Sequence, residues 1–381
     1  MFLRVCICVF FAAPAMAQYN LRLIVNTVGA KKGEDVYVSG TFNNWKPGDP
    51  NYKLKPFAGG RKALVIKDLP AGHYEYTFTR GDPKTVETTA RGESIKNRFI
   101  NIQNDTTVET DIPGWKDDFP EKPKPNTATA QVHLMDPAFY MPQLNRHRRI
   151  WIYLPKSYGT MQNRRYPVLY MQDGQNLFNE QTAAFGEWGV DETLDSLQQQ
   201  TGKECIVVGI DNGEEKRLNE YAPYDFNLPS SAEPIQAEGK QYLTFLVTTL
   251  KPYVDDHYRT KKDEQNTFIA GSSMGGLISA YAILVYPEVF SAAGIFSPSL
   301  WAAPKLYEDA EKYDWSKSLH RFYFYAGRKE GDGVEQDLNR MANIVEKKNN
   351  VQVTRLVYPL GQHNEATWRK EFPEFYKWLM R

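Results

Sequence analysis

The residues best suited to chemistry lie in the string TFIAGSSMGG, residues 267–276, where an apolar run meets a Gly-x-Ser-x-Gly motif. Between a strand and a helix, this motif forms a sharp turn that exposes its serine hydroxyl. Gly271 and Gly275 avoid the clash that a Cβ atom would cause in so tight a turn. The helix N-terminus favours the oxyanion that forms when a serine attacks a carbonyl. Ser273 is therefore the predicted nucleophile, and Ser272 is the weaker candidate because it lacks glycines two residues to either side.

A serine hydroxyl also needs a neighbouring base. In the fold that such a turn indicates, the acid and the histidine follow the serine along the chain. Only two of the six histidines follow Ser273. His320 directly precedes an apolar strand, where a capping or surface role is the simpler interpretation. His363 lies between the last predicted strand and an amphipathic C-terminal helix, so His363 is the predicted base.

The acid of the site is expected just after the preceding apolar strand, in the segment Phe322 to Gly333. Two carboxylates compete there, Glu330 and Asp332. Either can orient the imidazole of His363 and stabilise its charged form. Glu330 is the favoured acid, and Asp332 stays open as the alternative.

Two backbone N–H groups are expected to bind the oxyanion. One belongs to Met274, the residue after the nucleophile, and the other comes from the loop after an earlier strand. The apolar run 166–171 ends in QDGQN, so the N–H of Gln175, freed by Gly174, is the candidate. A plain turn is the alternative interpretation of this loop.

From residue 131 onward, apolar runs alternate with longer amphipathic segments. The apolar runs are Ile150 to Leu154, Val168 to Met171, Cys205 to Ile210, Phe268 to Ala270 and Phe322 to Tyr325. The amphipathic segments are Glu187 to Gln200, Gln241 to Tyr258, Met274 to Tyr286, Val334 to Lys348 and Ala366 to Met380. This alternation predicts an α/β class for residues 131–381, with a mostly parallel sheet covered by helices.

Residues 19–112 have a different pattern. Apolar residues recur at a period of two within short stretches, and turn residues separate these stretches at short intervals. This pattern predicts a small all-β sandwich. Residues 113–130 are rich in proline, which fixes φ and removes N–H donors. This segment is therefore predicted to be an extended linker between two domains.

The composition narrows the classes of partner. The chain has 381 residues, with 46 Lys and Arg against 46 Asp and Glu, and 41% of its residues are hydrophobic. A formal charge of zero gives no overall attraction to nucleic acid or to an anionic membrane. The hydrophobic and aromatic content excludes a largely disordered chain. No nucleic-acid partner is expected.

Residues 1–17 are predicted to be a signal peptide, because an arginine, a short apolar run and an Ala-x-Ala site follow one another. The apolar run is too short to cross a bilayer, which takes roughly 20 residues, and no other segment is predicted to be a membrane span. The mature chain is expected in the periplasm, at the cell surface or in the medium of a bacterium. Cleavage would remove Cys6 and Cys8 and leave Cys205 without a partner for a disulfide.

Residues 147–381 resemble the putative-esterase branch of the α/β-hydrolases. That branch includes the enterobactin-type siderophore esterases, the feruloyl and acetylxylan carbohydrate esterases, the esterase D group and the mycolyltransferases. The matching strings are Arg149 to Pro155, Tyr166 to Phe178, Ile210 to Asn212, Gly271 to Gly276, Ser297 to Trp301, Gly327 to Glu330 and Gly361 to His363.

The resemblance implies an α/β-hydrolase fold. It implies Ser273 as nucleophile, His363 as base and Glu330 as acid, with the N–H groups of Gln175 and Met274 for the oxyanion. Chemistry of this kind needs no metal and no organic cofactor.

Residues 19–112 resemble the early-set, immunoglobulin-like domains related to glycogen- and starch-binding modules. The matching strings are Val36 to Trp45, Pro70 to Phe78 and Asn97-Arg98. Trp45 can stack on the apolar face of a sugar ring, so a glycan contact is possible for this domain. The alternative is that Trp45 packs locally and the domain only shapes the esterase cleft.

These features predict an exported serine esterase that hydrolyses acyl esters of a carbohydrate, of feruloyl or acetyl type, or of another polyhydroxylated molecule. The candidate substrate contacts are Asp173, Arg217, Tyr221, Trp188 and Trp301. Structural roles are the alternative for the aromatic members of this set. Three other functions stay open: a siderophore esterase, because Lys216 and Arg217 can contact an anionic catecholate; an acyltransferase; and a non-catalytic glycan-binding protein on a hydrolase scaffold.

Overall fold

The computed structural model describes residues 17–29, 33–120, 123–228 and 233–381, without the side chain of Asp332. All of the predicted signal peptide except Ala17 therefore lies outside the described residues. The chain divides into two compact units, one ending at residue 122 and the other comprising residues 123–381.

The strands of the first unit are β1 Gln18–Val28, β2 Tyr37–Gly40, β3 Lys55–Phe57, β4 Arg61–Pro70, β5 Gly72–Thr79, β6 Glu87–Thr88, β7 Arg98–Ile102, β8 Thr106–Ile112 and β9 Gly114–Trp115. They form two main sheets, with the orders β3-β4-β1-β8 and β2-β5-β7, and β6 pairs with β9. Leu21 and Leu23 from the first sheet share one buried core with Val38 and Phe78 from the second. Strand β1 pairs antiparallel with β4 and parallel with β8. The all-β sandwich predicted for this region is confirmed.

The strands of the second unit are β10 Val132–Met141, β11 Arg146–Tyr153, β12 Val168–Gln172, β13 Ile206–Ile210, β14 Thr267–Ser272, β15 Ala292–Phe296, β16 His320–Gly327 and β17 Val351–Tyr358. Its helices are α1 Val190–Thr201, α2 Arg217–Glu220, α3 Gly239–Phe245, α4 Lys251–His257, α5 Met274–Val285, α6 Lys305–Lys312, α7 Asp332–Glu346 and α8 Glu365–Leu379. A π-helical turn, Leu246–Leu250, joins α3 to α4.

The strands of the second unit form one sheet with the order β10-β11-β13-β12-β14-β15-β16-β17. Strand β11 is antiparallel to β10 and β13, and the six strands β12 to β17 run parallel to one another. The chain leaves β12 toward β13 on one side and later returns to β14 on the other. In such a sheet, ligands bind in the crevice at the carboxyl ends of the strands where the winding direction changes. The predicted α/β-hydrolase fold is confirmed.

Helices cover both faces of this sheet. Helix α1 places Leu194 and Leu197 in the same buried cluster as Phe372 and Phe375 of α8. The other face carries α3, α5 and α7. Helix α5 is buried on almost every side, as expected for a helix with an apolar sequence all round.

Residues 123–130 are part of the second unit and hydrogen-bond to its other residues, whereas their prolines predicted an extended linker between the domains. The N–H of Thr127 donates to Asn179 Oδ1 at 3.2 Å, and the N–H of Thr129 donates to Asp191 Oδ2 at 2.7 Å. Proline removes local donors, but it does not prevent its neighbours from making tertiary hydrogen bonds. At the other end of the predicted linker, Gly114–Trp115 forms β9.

Within the described residues, no helix has both the length and the apolar character needed to cross a membrane. Cys205 is buried, and burial raises the pKa of its thiol to about 12. At neutral pH this thiol is therefore protonated and behaves as a small apolar side chain.

Candidate active site

The backbone at Ser273 is held in an uncommon conformation. Ser273 has φ 57° and ψ −123° between the end of β14 and the start of α5. Such a positive φ is unfavourable for a residue with a side chain, and it persists only where neighbours enforce it. The N–H of Ser273 donates to Phe296 O at 2.9 Å. A Cβ atom at Gly271 would lie 2.6 Å from Gly275 O, so only glycine fits there.

His363 and Glu330 form a hydrogen-bonded pair. His363 Nδ1 lies 2.8 Å from Glu330 Oε2, and the Glu330 side chain is fully buried, whereas that of His363 is 40% exposed. The other oxygen, Glu330 Oε1, accepts from Gly327 N at 2.6 Å and from Ser297 Oγ at 2.7 Å. With Nδ1–H donating to the carboxylate, Nε2 is left as the acceptor that a general base needs.

Two further residues support this pair, and no role in the site was predicted for either of them. Trp368 Nε1 donates to Ser297 Oγ at 2.9 Å, and its ring contacts the His363 ring edge-on, with centroids 5.1 Å apart. Ser297 itself has φ 44°. One sequence signal for the contact with His363 does exist. His363 directly precedes Asn364, which caps α8, and Trp368 lies one helical turn after Asn364, so the two rings are close in the chain.

Ser273 and His363 line the same cavity of about 430 Å³. The hydroxyl of Ser273 lies 3.3 Å from Ser299 Oγ. The complete lining is Asp173, Asn176, Phe185, Asn212, Arg217, Ser272, Ser273, His363, Asn364, Glu365 and Trp368. The structure therefore brings the predicted nucleophile and the predicted base to one solvent-accessible cavity, with the favoured acid hydrogen-bonded behind the histidine.

A second cavity, of about 650 Å³, contains no such set. Its lining includes Ser291 and Ser318 but no histidine. These serines lie at the amino ends of β15 and β16, opposite to the carboxyl ends where ligands bind in this class of sheet. The smaller cavity is therefore the candidate active site.

Asp173 and Arg217 form an ion pair in the wall of the candidate site. Arg217 Nε lies 2.7 Å from Asp173 Oδ1 and Arg217 Nη2 lies 2.9 Å from Asp173 Oδ2. Asn212 Nδ2 also donates to Asp173 Oδ1 at 2.8 Å. Burial acts to lower the pKa of Arg217, but Asp173 outweighs this effect and the pKa is raised. The guanidinium is therefore permanently charged and largely neutralised by its partner.

Glu365 is a second carboxylate in the cavity, and it was not predicted. It is 7% exposed, and Asn176 Nδ2 donates to its Oε1 at 3.3 Å. Burial raises its pKa, and the nearby charge of Asp173 raises it further. Among the described side chains that line the cavity, Arg217 is the one arginine or lysine, whereas Asp173 and Glu365 are both carboxylates.

The residues predicted for the oxyanion lie at the ends of adjacent parallel strands. Gln175 is in the turn Gly174–Asn176 after β12, and Met274 begins α5 after β14. A Cβ atom at Gly174 would lie 2.7 Å from Gly209 C, so this turn requires glycine. The first hydrogen bond of α5 runs from Leu277 N to Ser273 O, which leaves the N–H of Met274 outside the helical ladder. Their role in binding an oxyanion stays a prediction.

The aromatic substrate candidates lie outside the cavity lining. Trp188 is 2% exposed and packs between Phe296 and Trp368, so it is a core residue in this structure. Tyr221 is fully buried, and its ring lies under the Arg217 guanidinium at 5.2 Å. Trp301 is 50% exposed, and its ring packs edge-to-face with the ring of Phe226.

Two of the remaining candidates bear on the choice of acid and base. The side chain of Asp332, the alternative acid, lies outside the described residues. His320 is buried, and burial lowers its pKa. It contacts Ser318 and Trp315 and does not line the candidate site.

Close backbone contact aligns the acid and base loops, and this contact yields a testable prediction. A Cβ atom at Gly361 would lie 2.6 Å from Gly327 Cα, so Gly361→Ala must displace the loop that carries His363. A misplacement of about 1 Å can cost about 100-fold in rate. We expect kcat for an activated ester to fall about 100-fold, with a lower Tm, as measured by steady-state kinetics and thermal unfolding.

Gly333→Ala is the matched control, because a Cβ atom at Gly333 would meet nothing within 4 Å. It should leave kcat and Tm close to those of the parent protein. An unchanged kcat in Gly361→Ala would show that this contact does not position the histidine.

Two families match the chain. Residues 141–379 match the family described as putative esterase, and residues 30–112 match the glycogen recognition site of AMP-activated protein kinase. The prediction of an esterase region preceded by a glycogen-binding-like domain is therefore confirmed.

Individual proteins give a similar picture. The uncharacterised protein YbbA of Bacillus subtilis is 33% identical over 191 residues, which cover 49% of this chain and 70% of YbbA. The endo-1,4-beta-xylanase/feruloyl esterase of Xylanibacter ruminicola is 26% identical over 229 residues, 58% of this chain but only 27% of that enzyme. The crystal structure of the enterobactin esterase FES from Shigella flexneri, in the presence of enterobactin, superposes with a TM-score of 0.52 at 18% identity and covers 91% of this chain and 88% of FES. At that identity the likeness shows the fold alone.

Proposed function

This chain belongs to the putative esterase family and is a carboxylic ester hydrolase, and on that premise we propose that it is a serine esterase acting on acyl esters of a carbohydrate or another polyhydroxylated alcohol. The observation that carries the proposal is that Ser273 and His363 line one cavity, with Glu330 hydrogen-bonded to His363. We further propose that the mature protein is exported, which rests on the sequence of residues 1–17.

In the proposed reaction, Ser273 Oγ attacks the ester carbonyl while His363 Nε2 takes its proton. The N–H groups of Gln175 and Met274 stabilise the oxyanion, and the imidazolium then protonates the departing alcohol. Water repeats the sequence on the acyl-enzyme and releases the acid. An alcohol acceptor in place of water would give acyl transfer from the same intermediate.

The charges of the cavity favour a neutral, hydroxylated substrate over an anionic catecholate. Arg217 is held by Asp173, and Glu365 adds a second carboxylate. Lys216, the other cation suggested for catecholate binding, is exposed and is absent from the lining. The amides of Asn176 and Asn212 already bond to protein groups, but each keeps a second N–H and a second carbonyl lone pair that can bond a sugar hydroxyl.

A panel of esters tests this preference. We expect kcat/KM for acetylated xylo-oligosaccharide or feruloyl arabinose to exceed that for a tricatecholate triester by at least about tenfold, or ~1.4 kcal/mol of transition-state stabilisation. Liquid chromatography of the acid and alcohol products measures each reaction. A higher kcat/KM for the tricatecholate would favour the siderophore alternative, and acyl-sugar products in the presence of sugar acceptors would favour acyl transfer.

We propose that the first unit contributes a glycan contact through Trp45, which is 40% exposed. The same panel tests this idea with a polymeric substrate, because Trp45→Ala should weaken action on a soluble polysaccharide ester but not on an oligosaccharide. Phe57→Ala is the matched control, since Phe57 is an aromatic residue of similar exposure, at 39%. This substitution should not change the activity on the polymer. Equal effects of the two substitutions would leave Trp45 with a local packing role.

A further inference from the structure

Three carboxylates are gathered at the start of α1, outside the candidate active site. Glu187 is 4% exposed, Asp191 is fully buried and Glu192 is partly buried. Each of the three places a carboxylate oxygen within 4.8 Å of an oxygen of the other two. Burying like charges so close together is costly unless something compensates them.

Within the described part of the chain, protein groups donate a hydrogen bond to one oxygen of each buried carboxylate and leave the other oxygen without a hydrogen bond. Thr127 Oγ1 donates to Glu187 Oε2 at 3.0 Å, and Thr129 N donates to Asp191 Oδ2 at 2.7 Å. The opposite oxygens, Glu187 Oε1 and Asp191 Oδ1, are buried without a hydrogen-bond partner among the described residues, and so is Glu192 Oε2. Buried polar atoms are rarely left in this state, so each one needs an explanation.

Among the residues that the structure describes, one cation approaches the cluster, and it does not reach these oxygens. Arg369 Nη1 lies 3.7 Å from Glu187 Oε2, and Arg369 Nη2 lies 4.0 Å from Glu192 Oε1. Three carboxylates against one guanidinium leave two negative charges uncompensated.

We infer that Glu187, Asp191 and Glu192 together bind a calcium ion. Calcium takes six to eight oxygen ligands at about 2.3–2.6 Å, so two of its ligands can lie up to about 5 Å apart. The separations in the cluster fit that limit, and the charge of a divalent cation matches the deficit. The ligands are all hard oxygens, which Ca²⁺ prefers, whereas Zn²⁺ sites favour nitrogen and sulfur. Calcium needs further oxygen ligands beyond these three side chains, and water can supply them.

Such an ion has a structural role. It ties the start of α1 to residues 123–130, which are already hydrogen-bonded to Glu187 and Asp191. Trp188, between two of the ligands in the chain, packs against Trp368, whose ring contacts the predicted base. The calcium ion therefore stabilises the framework behind the candidate active site without touching substrate.

Calcium binding to the full chain tests the inference. After treatment with EDTA and its removal by dialysis, calorimetric titration with CaCl₂ should show one equivalent bound, with Kd on the order of 10⁻⁴ M or tighter. Thermal unfolding should show Tm rising by about 5 °C at saturating CaCl₂ and returning on addition of EDTA. Absence of binding, or a Tm that is indifferent to calcium, would overturn the site, and tighter binding of MgCl₂ than of CaCl₂ would overturn the choice of ion.

Two variants locate the ion. Asp191→Asn removes a buried charge, so it should fold and match or exceed the calcium-free parent in Tm, yet its Tm should no longer respond to CaCl₂. Glu187→Gln should weaken binding at least about tenfold. Glu180→Gln, a nearby carboxylate outside the cluster, should bind calcium with a Kd within about threefold of the parent value. Unchanged binding in both Asp191→Asn and Glu187→Gln would place any bound calcium elsewhere and overturn the assignment.

Discussion

Replacing Ser273 with alanine is expected to lower kcat for p-nitrophenyl acetate by about 10⁴-fold or more while leaving the fold intact. The hydroxyl is the predicted covalent nucleophile, and losses of this order follow removal of such a group in triad enzymes. Stability should change little. The strained φ of 57° belongs to the backbone, and alanine tolerates it about as well as serine does. Steady-state kinetics and thermal unfolding measure the two effects, and labelling by a fluorophosphonate probe should disappear with the activity.

Ser272→Ala is the matched control, because Ser272 lines the same cavity and is the neighbouring serine in the motif. It should retain probe labelling and most of the activity. Undiminished turnover in Ser273→Ala would eliminate the proposed mechanism. Loss of labelling in Ser272→Ala alone would move the nucleophile by one residue.

The second large effect is expected for Glu330→Gln, with a loss of about 10³- to 10⁴-fold in kcat. The glutamine carbonyl can still accept from Gly327 N and Ser297 Oγ, so the loop should keep its shape. The amide nitrogen then faces His363 Nδ1 and donates to it. This interaction stabilises the wrong tautomer, in which Nε2 carries the proton and cannot accept one from Ser273.

Asp332→Asn discriminates between the two candidate acids, and the assay is again ester hydrolysis with a parallel measurement of Tm. If Glu330 is the acid, Asp332→Asn should keep activity close to that of the parent. The reverse outcome, with Asp332→Asn inactive and Glu330→Gln active, would make Asp332 the acid. The hydrogen bond between Glu330 and His363 would then be structural.

Local sequence is informative where function depends on a short turn. The elbow around Ser273 could be predicted because the strand, the two glycines and the helix are contiguous. Chain order restricted the predicted base to His320 or His363, and of these two His363 lines the cavity of Ser273. The α/β class could be predicted because strands buried on both faces give continuous apolar runs.

Tertiary contacts account for what could not be predicted. Nothing near Ser297 in the sequence indicates that it joins Glu330 to Trp368, because these two partners lie 33 and 71 residues from it in the chain. Trp188 was a candidate substrate contact because aromatic rings suit both sugars and cores. Its burial against Trp368 depends on how α8 packs, which no local pattern reveals.

The position of β1 has a consequence for how the chain reaches its native state. Strand β1 lies inside its sheet, and its register with β8 joins Leu21 to Thr106, while β4 flanks its other edge. A ribosome must therefore add more than 80 residues after Leu21 before the last partner of β1 emerges. Pairing over such sequence separations is slow, because the chain loses the entropy of closing a long loop before the new contacts can stabilise the sheet. Until then the nascent chain presents one unpaired edge of β1, so holding by a chaperone would be most useful during this interval.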